Sequence, residues 1–163
     1  MKIYKLAKSD EYDEMLAWFK KRTEMHINLV QKYCKKIEEY DDKFKGLVEQ
    51  AKDHDASKFE DPEIDPYVYV TWQYYCKDHD RKFEAPEGMD DEMNKATNHH
   101  VRSKKNRHHP EAHCDKEVGL INRKDRDKPP SEMVDATKMP DMDIAEMCAD
   151  WKSVSEAKRR AHL

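Results

Sequence analysis

Along this chain apolar residues return every three or four positions, the period of a helix rather than of a strand. Tyr12, Leu16 and Phe19 share one side of a first helix predicted over residues 10–21. Thr23, a favourable N-cap, opens a second helix on which Leu29, Val30, Tyr33 and Ile37 turn toward a core. His26 lies four residues before Val30 and seven before Tyr33, so it belongs to the same stripe. In a third helix Phe44, Leu47, Val48 and Ala51 repeat the spacing, and the stripe runs on into His54, Asp55 and Lys58. Polar residues thus extend an apolar face, at a helix end where a core can open into a cleft.

Pro62 and Pro66 are expected to break that helix, and residues 67–77, rich in Tyr and Trp, form a fourth. Residues 78–89 read as a polar connection containing Pro86 and Gly88. Met89, Met93, Ala96 and Thr97 carry a fifth helix to His100, whose spacing favours it over His99 as the inward histidine. Residues 115–130 end in Pro129-Pro130 and are expected to be a loop or mobile flap. A last helix over 141–160 presents Ile144, Met147, Cys148, Trp151 and Val154, with Asp150 at the edge of that stripe and Glu146 one turn before it as a rival. Lys52-Asp53-His54-Asp55 returns as Lys77-Asp78-His79-Asp80, but the second copy sits in a polar segment and marks no repeat.

Composition narrows this picture. At 163 residues the chain predicts one all-α domain over 1–163, a bundle of about five to seven helices. Although 40% of residues are charged, the net charge of -4 shows acids and bases interleaved, and eight Tyr, three Trp and nine Met add apolar mass. Three glycines leave little room for phosphate-cradling loops. The charge balance gives no reason to expect a nucleic-acid partner. No apolar stretch reaches membrane-spanning length, and Met1-Lys2-Ile3-Tyr4 lacks a signal peptide's apolar region. Cys34, Cys76, Cys114 and Cys148 form no CxxC pair and are expected as reduced thiols, which points to the cytoplasm.

The candidate chemistry lies in histidines and acids on those stripes. An adjacent His54 and Asp55 can bind one metal, the imidazole through neutral nitrogen and the carboxylate through anionic oxygen. Lys58, one turn on, can reach a phosphate. The competing reading is an exposed helix end. In Asn106-Arg107-His108-His109-Pro110-Glu111, the proline suits the first position of a helix, and the irregular geometry there allows both imidazoles onto one ion. Glu111 can then orient a histidine or activate water. The alternatives are a surface loop or a local site with His113. His26 and Asp150 carry little weight singly, and His79, His99, His113 and His162 are expected not to ligate. Trp151 and the tyrosines of 67–75 are expected in the core or a pocket wall.

The order His26, His54-Asp55 and a late Asp150 resembles the HD-domain metal-dependent phosphohydrolases. The nearest subgroup carries an HDxGK signature, matched by His54 to Lys58 except that Ser57 replaces glycine. It continues with a further histidine and a His-His-Glu element, similar to His100 and His108-His109-Pro110-Glu111 with a proline inserted. The chain also resembles a small uncharacterised family of phages and bacteria sharing HDxSKF, NxHHPE and Met-x-x-Asp-Trp (here Met147 to Trp151), over roughly residues 22–155. The resemblance to the superfamily implies a helical bundle holding one or two divalent ions. It assigns His26, His54, Asp55 and Asp150 to one, and His100, His108 and His109 to a second, with Asp55 bridging.

The function expected is hydrolysis of a phosphoester or phosphoanhydride in a nucleotide or related small molecule. Asp55, Lys58 and Glu111 would be catalytic, and histidine-rich ligation suits Mn, Fe, Co, Ni or Zn. A non-catalytic helical protein with a structural metal, acting through a partner, and a di-iron oxygenase are the rival expectations. Oligomeric state is not legible.

Overall fold

A computed structural model describes residues 10–115, 122, 124 and 133–161, and it is all helical: no strand occurs among them. The first helix, α1, runs unbroken from Asp10 to Tyr40. It joins the two helices expected from the sequence, because no proline or glycine interrupts those 31 residues. Thr23 is therefore a buried mid-helix residue and not a cap. Met15, Phe19, Thr23, His26, Val30 and Cys34 follow one another at steps of three or four, so His26 sits on the seam that α1 turns inward.

The third expected helix is fragmented. Gly46, at φ 96°, opens the short helix α2 (Leu47–Gln50), which tightens into 3-10 turns at Ala51–Asp53 and Ala56–Phe59. Between those turns His54 is extended, at φ -54° and ψ 126°, and Asp55 is left-handed, at φ 59°. Aspartate is one of the few residues that visits this region at modest cost. Helical periodicity placed His54 and Asp55 correctly in the interior but for the wrong reason. On a regular helix neighbours diverge by about 100°. The break instead lets two consecutive side chains converge.

The next helix, α3 (Ile64–Asp78), contains Pro66 where a break was expected. Its position in the first turn explains this, since amides there have no intrahelical acceptor to lose. Then comes α4 (Met89–Arg102), turning Met89, Met93, Ala96 and His100 inward, and a 3-10 turn over Pro110–His113. The final helix is α5 (Asp141–Ala161), with the bounds expected but the opposite face inward. Asp143, Ala145, Glu146, Ala149, Ser153 and Glu156 are buried, whereas Ile144, Cys148, Trp151 and Val154 are exposed. Of the expected flap, only Asp115, Asn122 and Lys124 are described, and the rest lies outside the described residues.

Two apolar clusters meet along α1. One gathers Val30, Cys34, Leu47, Ala51, Ala145 and Ala149; the other gathers Met15, Phe19, Val68, Trp72 and Cys76. His26 lies between Phe19 and Val30, where one cluster gives way to the other. No helix among the described residues is long and apolar enough to cross a membrane.

Candidate metal centre

Five separate segments deliver polar side chains to the gap between those clusters. His26 comes from the middle of α1, His54 and Asp55 from the break after α2, and His100 from the last turn of α4. His108 and His109 come from the segment that enters the Pro110–His113 turn, and Asp150 from the middle of α5. His109 is extended, at φ -100° and ψ 130°, the conformation that a following proline favours.

Their donor atoms fall into overlapping groups, each within 4.8 Å: Asp55, His100, His108 and His109; His26, His54 and Asp55; His54, His108 and Asp150. Asp55 belongs to the first two. Its Oδ1 lies 3.1 Å from His100 Nε2 and 3.7 Å from His108 Nε2, while its Oδ2 lies 3.5 Å from His26 Nε2. His26 Nε2 is in turn 3.0 Å from Asp150 Oδ1 and 3.4 Å from His54 Nε2. Two ligands about 2.1 Å from one ion sit about 3.0 Å apart at a right angle and about 3.4 Å apart at a tetrahedral one. Most of these separations fall close to that range, so the cluster is spaced to hold a metal.

The far sides of four of these five rings, all but His109, are tied down. His54 Nδ1 lies 2.8 Å from Glu146 Oε1, and His108 Nδ1 lies 3.4 Å from the same oxygen. His100 Nδ1 is 2.8 Å from Glu63 Oε2. Ser153 gives its hydroxyl proton to the Asp150 carbonyl, so its oxygen is free to accept from His26 Nδ1, 3.0 Å away. Acceptors behind Nδ1 fix the proton there and leave the Nε2 lone pair facing the centre, as metal-ligating histidines require. His100 Nε2 is buried and, among the described residues, has no hydrogen-bond partner; its 3.1 Å approach to Asp55 lacks hydrogen-bond alignment. An unpaired buried ring nitrogen facing a carboxylate and two more imidazoles fits a cation ligand.

Charge in the centre is balanced by these carboxylates. Burial pushes the Asp55 carboxyl up, but Lys58, His54 and His100 outweigh it and hold it well below the usual range. The Asp150 and Glu146 carboxyls are likewise held down against burial, the first by His26 and His54, the second by His108 and His54. Burial, together with neighbouring His108 and His100, pushes His109 down to about 2, so its ring is neutral. Asp55, Glu146 and Asp150 instead push His54 up against burial, so a divalent ion binding there competes with its proton.

The remaining expected residues fare differently. Lys58 pairs with Asp55 Oδ2 at 2.6 Å and lies over the Tyr67 ring, which stands edge-on to His100 as a wall of the site. Among the described residues no hydrogen bond or ion pair ties the Glu111 side chain to the cluster. Ala112 is the buried member of that turn, and Glu111 beside it is half-buried. The orienting work expected of Glu111 falls to Glu146 and Glu63. His79 and His113 bond to the carbonyls of Tyr75 and Arg107, and His162 lies outside the described residues. His99 gives its Nδ1 to Glu63 Oε1 at 2.6 Å, behind the centre.

The sequence reading missed Glu63, Asn106 and Ser153. Ser57, read there only as a departure from glycine, donates to Glu63 at 2.9 Å and accepts from Asn106 at 2.8 Å. Its hydroxyl is thus part of the scaffold that holds His100. Comparison with known proteins adds a family but no activity. No curated protein and no solved structure matches the chain. Residues 15–162 match a family described as of unknown function (DUF5662), and the chain belongs to it.

Proposed function

We propose that this protein is a metal-dependent phosphohydrolase acting on a nucleotide or related small phosphoester or phosphoanhydride. The observation that carries the reading is the uneven exposure of the centre. The side chains of His54, Asp55, His100 and His108 are 0%, 2%, 3% and 2% exposed, whereas those of His26, Lys58 and Asp150 are 22%, 20% and 16% exposed. A purely structural site would be closed all round. This centre is instead partly exposed, at His26, Lys58 and Asp150.

A divalent ion held by these residues would polarise a phosphoryl oxygen and bring the pKa of a coordinated water toward neutrality. Asp55 joins the His26–His54 group to the His100–His108–His109 group. Lys58, one-fifth exposed, turns from Asp55 to the phosphoryl oxygens and stabilises charge developing there. Tyr67 backs the lysine and limits its motion. The order of His26, His54-Asp55 and Asp150, similar to that of HD-domain phosphohydrolases, supports the same assignment.

The test pairs elemental analysis with a panel of nucleotides and phosphoesters in Mn, Fe, Co, Ni or Zn. The expected result is metal-dependent phosphate release. Lys58→Ala should keep its metal yet lose about a hundredfold or more in kcat/KM. Full turnover in Lys58→Ala, or iron-dependent oxygen consumption without phosphate release, would overturn the assignment.

A further inference from the structure

The outer face of α5 does not contribute to the centre. Trp151 is 63% exposed, Val154 41% and Ile144 38%, and Cys148 is exposed beside them. At about 100° per residue, Ile144, Cys148, Trp151 and Ser155 fall within a sector of about 60°, with Asp141 about 20° beyond one edge and Lys158 about 20° beyond the other. The sector is apolar in the middle, acidic at its start and basic at its end. A contiguous apolar stripe rimmed by charges is the kind of surface patch that often marks an interaction site.

We propose that a second copy of this chain covers it, with the two α5 helices packed antiparallel about a two-fold axis between Ala149 and Asp150. That axis sets Cys148 opposite Trp151, Ile144 opposite Ser155 and Asp141 opposite Lys158, each pair equidistant from the midpoint. The acidic start of one helix then meets the basic end of the other, twice, as an isologous interface demands. Such polarity also complements each helix's own dipole. What points to self-association is charge complementarity: Asp141 and Lys158 lie equidistant from that axis, at opposite ends of the stripe. Beside Cys148 lies an open groove of about 320 Å³ lined by Ile37, Phe44, Ile144 and Cys148, with Lys43 and Asp141 at its rim. Trp151 of the second copy faces this groove and is the right kind of anchor for it. One helix face alone falls short of the roughly 800 Å² per partner typical of stable interfaces. The groove and Tyr40, 91% exposed one turn beyond Ile37, extend it.

Sedimentation equilibrium over a wide concentration range tests the proposal. The wild type should show a concentration-dependent dimer, and Trp151→Glu should raise its dissociation constant at least tenfold with helicity unchanged. Asp141→Lys should weaken the dimer, and adding Lys158→Asp should restore it, a rescue that no folding defect produces. A wild type that stays monomeric throughout, a dimer indifferent to Trp151→Glu, or a swap that fails to restore association would each overturn it. The result is independent of whether the centre is catalytic.

Discussion

Asp55 occupies two positions of constraint at once. Its backbone is left-handed, and its carboxylate faces histidines from three other segments. A substitution to alanine would mix a backbone cost of about 1 kcal/mol with the loss of charge, whereas asparagine tolerates the same conformation. Behind the centre, Glu146 is the single acceptor for two ligand rings and is steadied by Gln50 at 2.9 Å. Glu146→Gln keeps its shape but removes the anion that favours Nδ1–H on His54 and His108. Metal affinity should fall about 10- to 100-fold, measured by competition with a chromophoric chelator. An unchanged affinity would show that those rings are oriented by something else. His54, Asp55, His108 and His109 were legible in the sequence because their types and adjacency are themselves chemical signals. Glu63 and Ser153 were not, because an acceptor behind a ring needs only a position in space and carries no spacing rule. Glu111 follows the two histidines closely in sequence, yet among the described residues no hydrogen bond or ion pair joins its side chain to them.

The helices show the same division between what periodicity records and what it cannot. α1, α3 and α4 follow their apolar spacing. α5 does not, because its inner face supplies Asp150, Glu146 and Ser153 to a polar centre, and the buried apolar residues described on it are the small Ala145 and Ala149. The larger apolar residues then lie outside, and a reading based on hydrophobicity selects the wrong face. The break at His54–Asp55 was hidden for a similar reason, since burial continues through it although the helix does not. Further along, α5 is tied to α1 where Glu156 accepts from the Tyr33 hydroxyl and from Lys32 at 2.9 Å. The Tyr33 hydroxyl, then Lys32, hold the Glu156 carboxyl down to about 2. With its folded value below the unfolded one of about 4.3, the contact stabilises fully above that pH and is lost as pH falls toward 2. Thermal melts of Glu156→Gln should therefore fall below the wild type at neutral pH and converge with it near pH 2. A gap that persists in acid would assign the effect to packing.

Taken whole, the molecule places a polar centre between two apolar clusters that share α1. Five segments meet there, and an ion bound by side chains from all of them links regions far apart in sequence. Its binding free energy adds to the stability of the fold. At a free metal concentration about a hundred times the dissociation constant, stabilisation should be about 2.7 kcal/mol, or roughly 5–10 °C in Tm for a chain of this size. Differential scanning fluorimetry with Mn, Fe, Co, Ni, Zn and a chelator measures this, and Tm values indifferent to all of them would contradict the linkage. Mg should shift Tm less, because its hard, hydrated ion disfavours imidazole.

The most direct measurement is the metal-to-protein ratio of the purified wild type and of Asp55→Asn after identical reconstitution and desalting. Because one carboxylate serves both groups of histidines, the account predicts one or two transition ions per wild-type chain and almost none in the variant. A wild type that retains no divalent ion, or an Asp55→Asn protein that retains as much as the wild type, would contradict it.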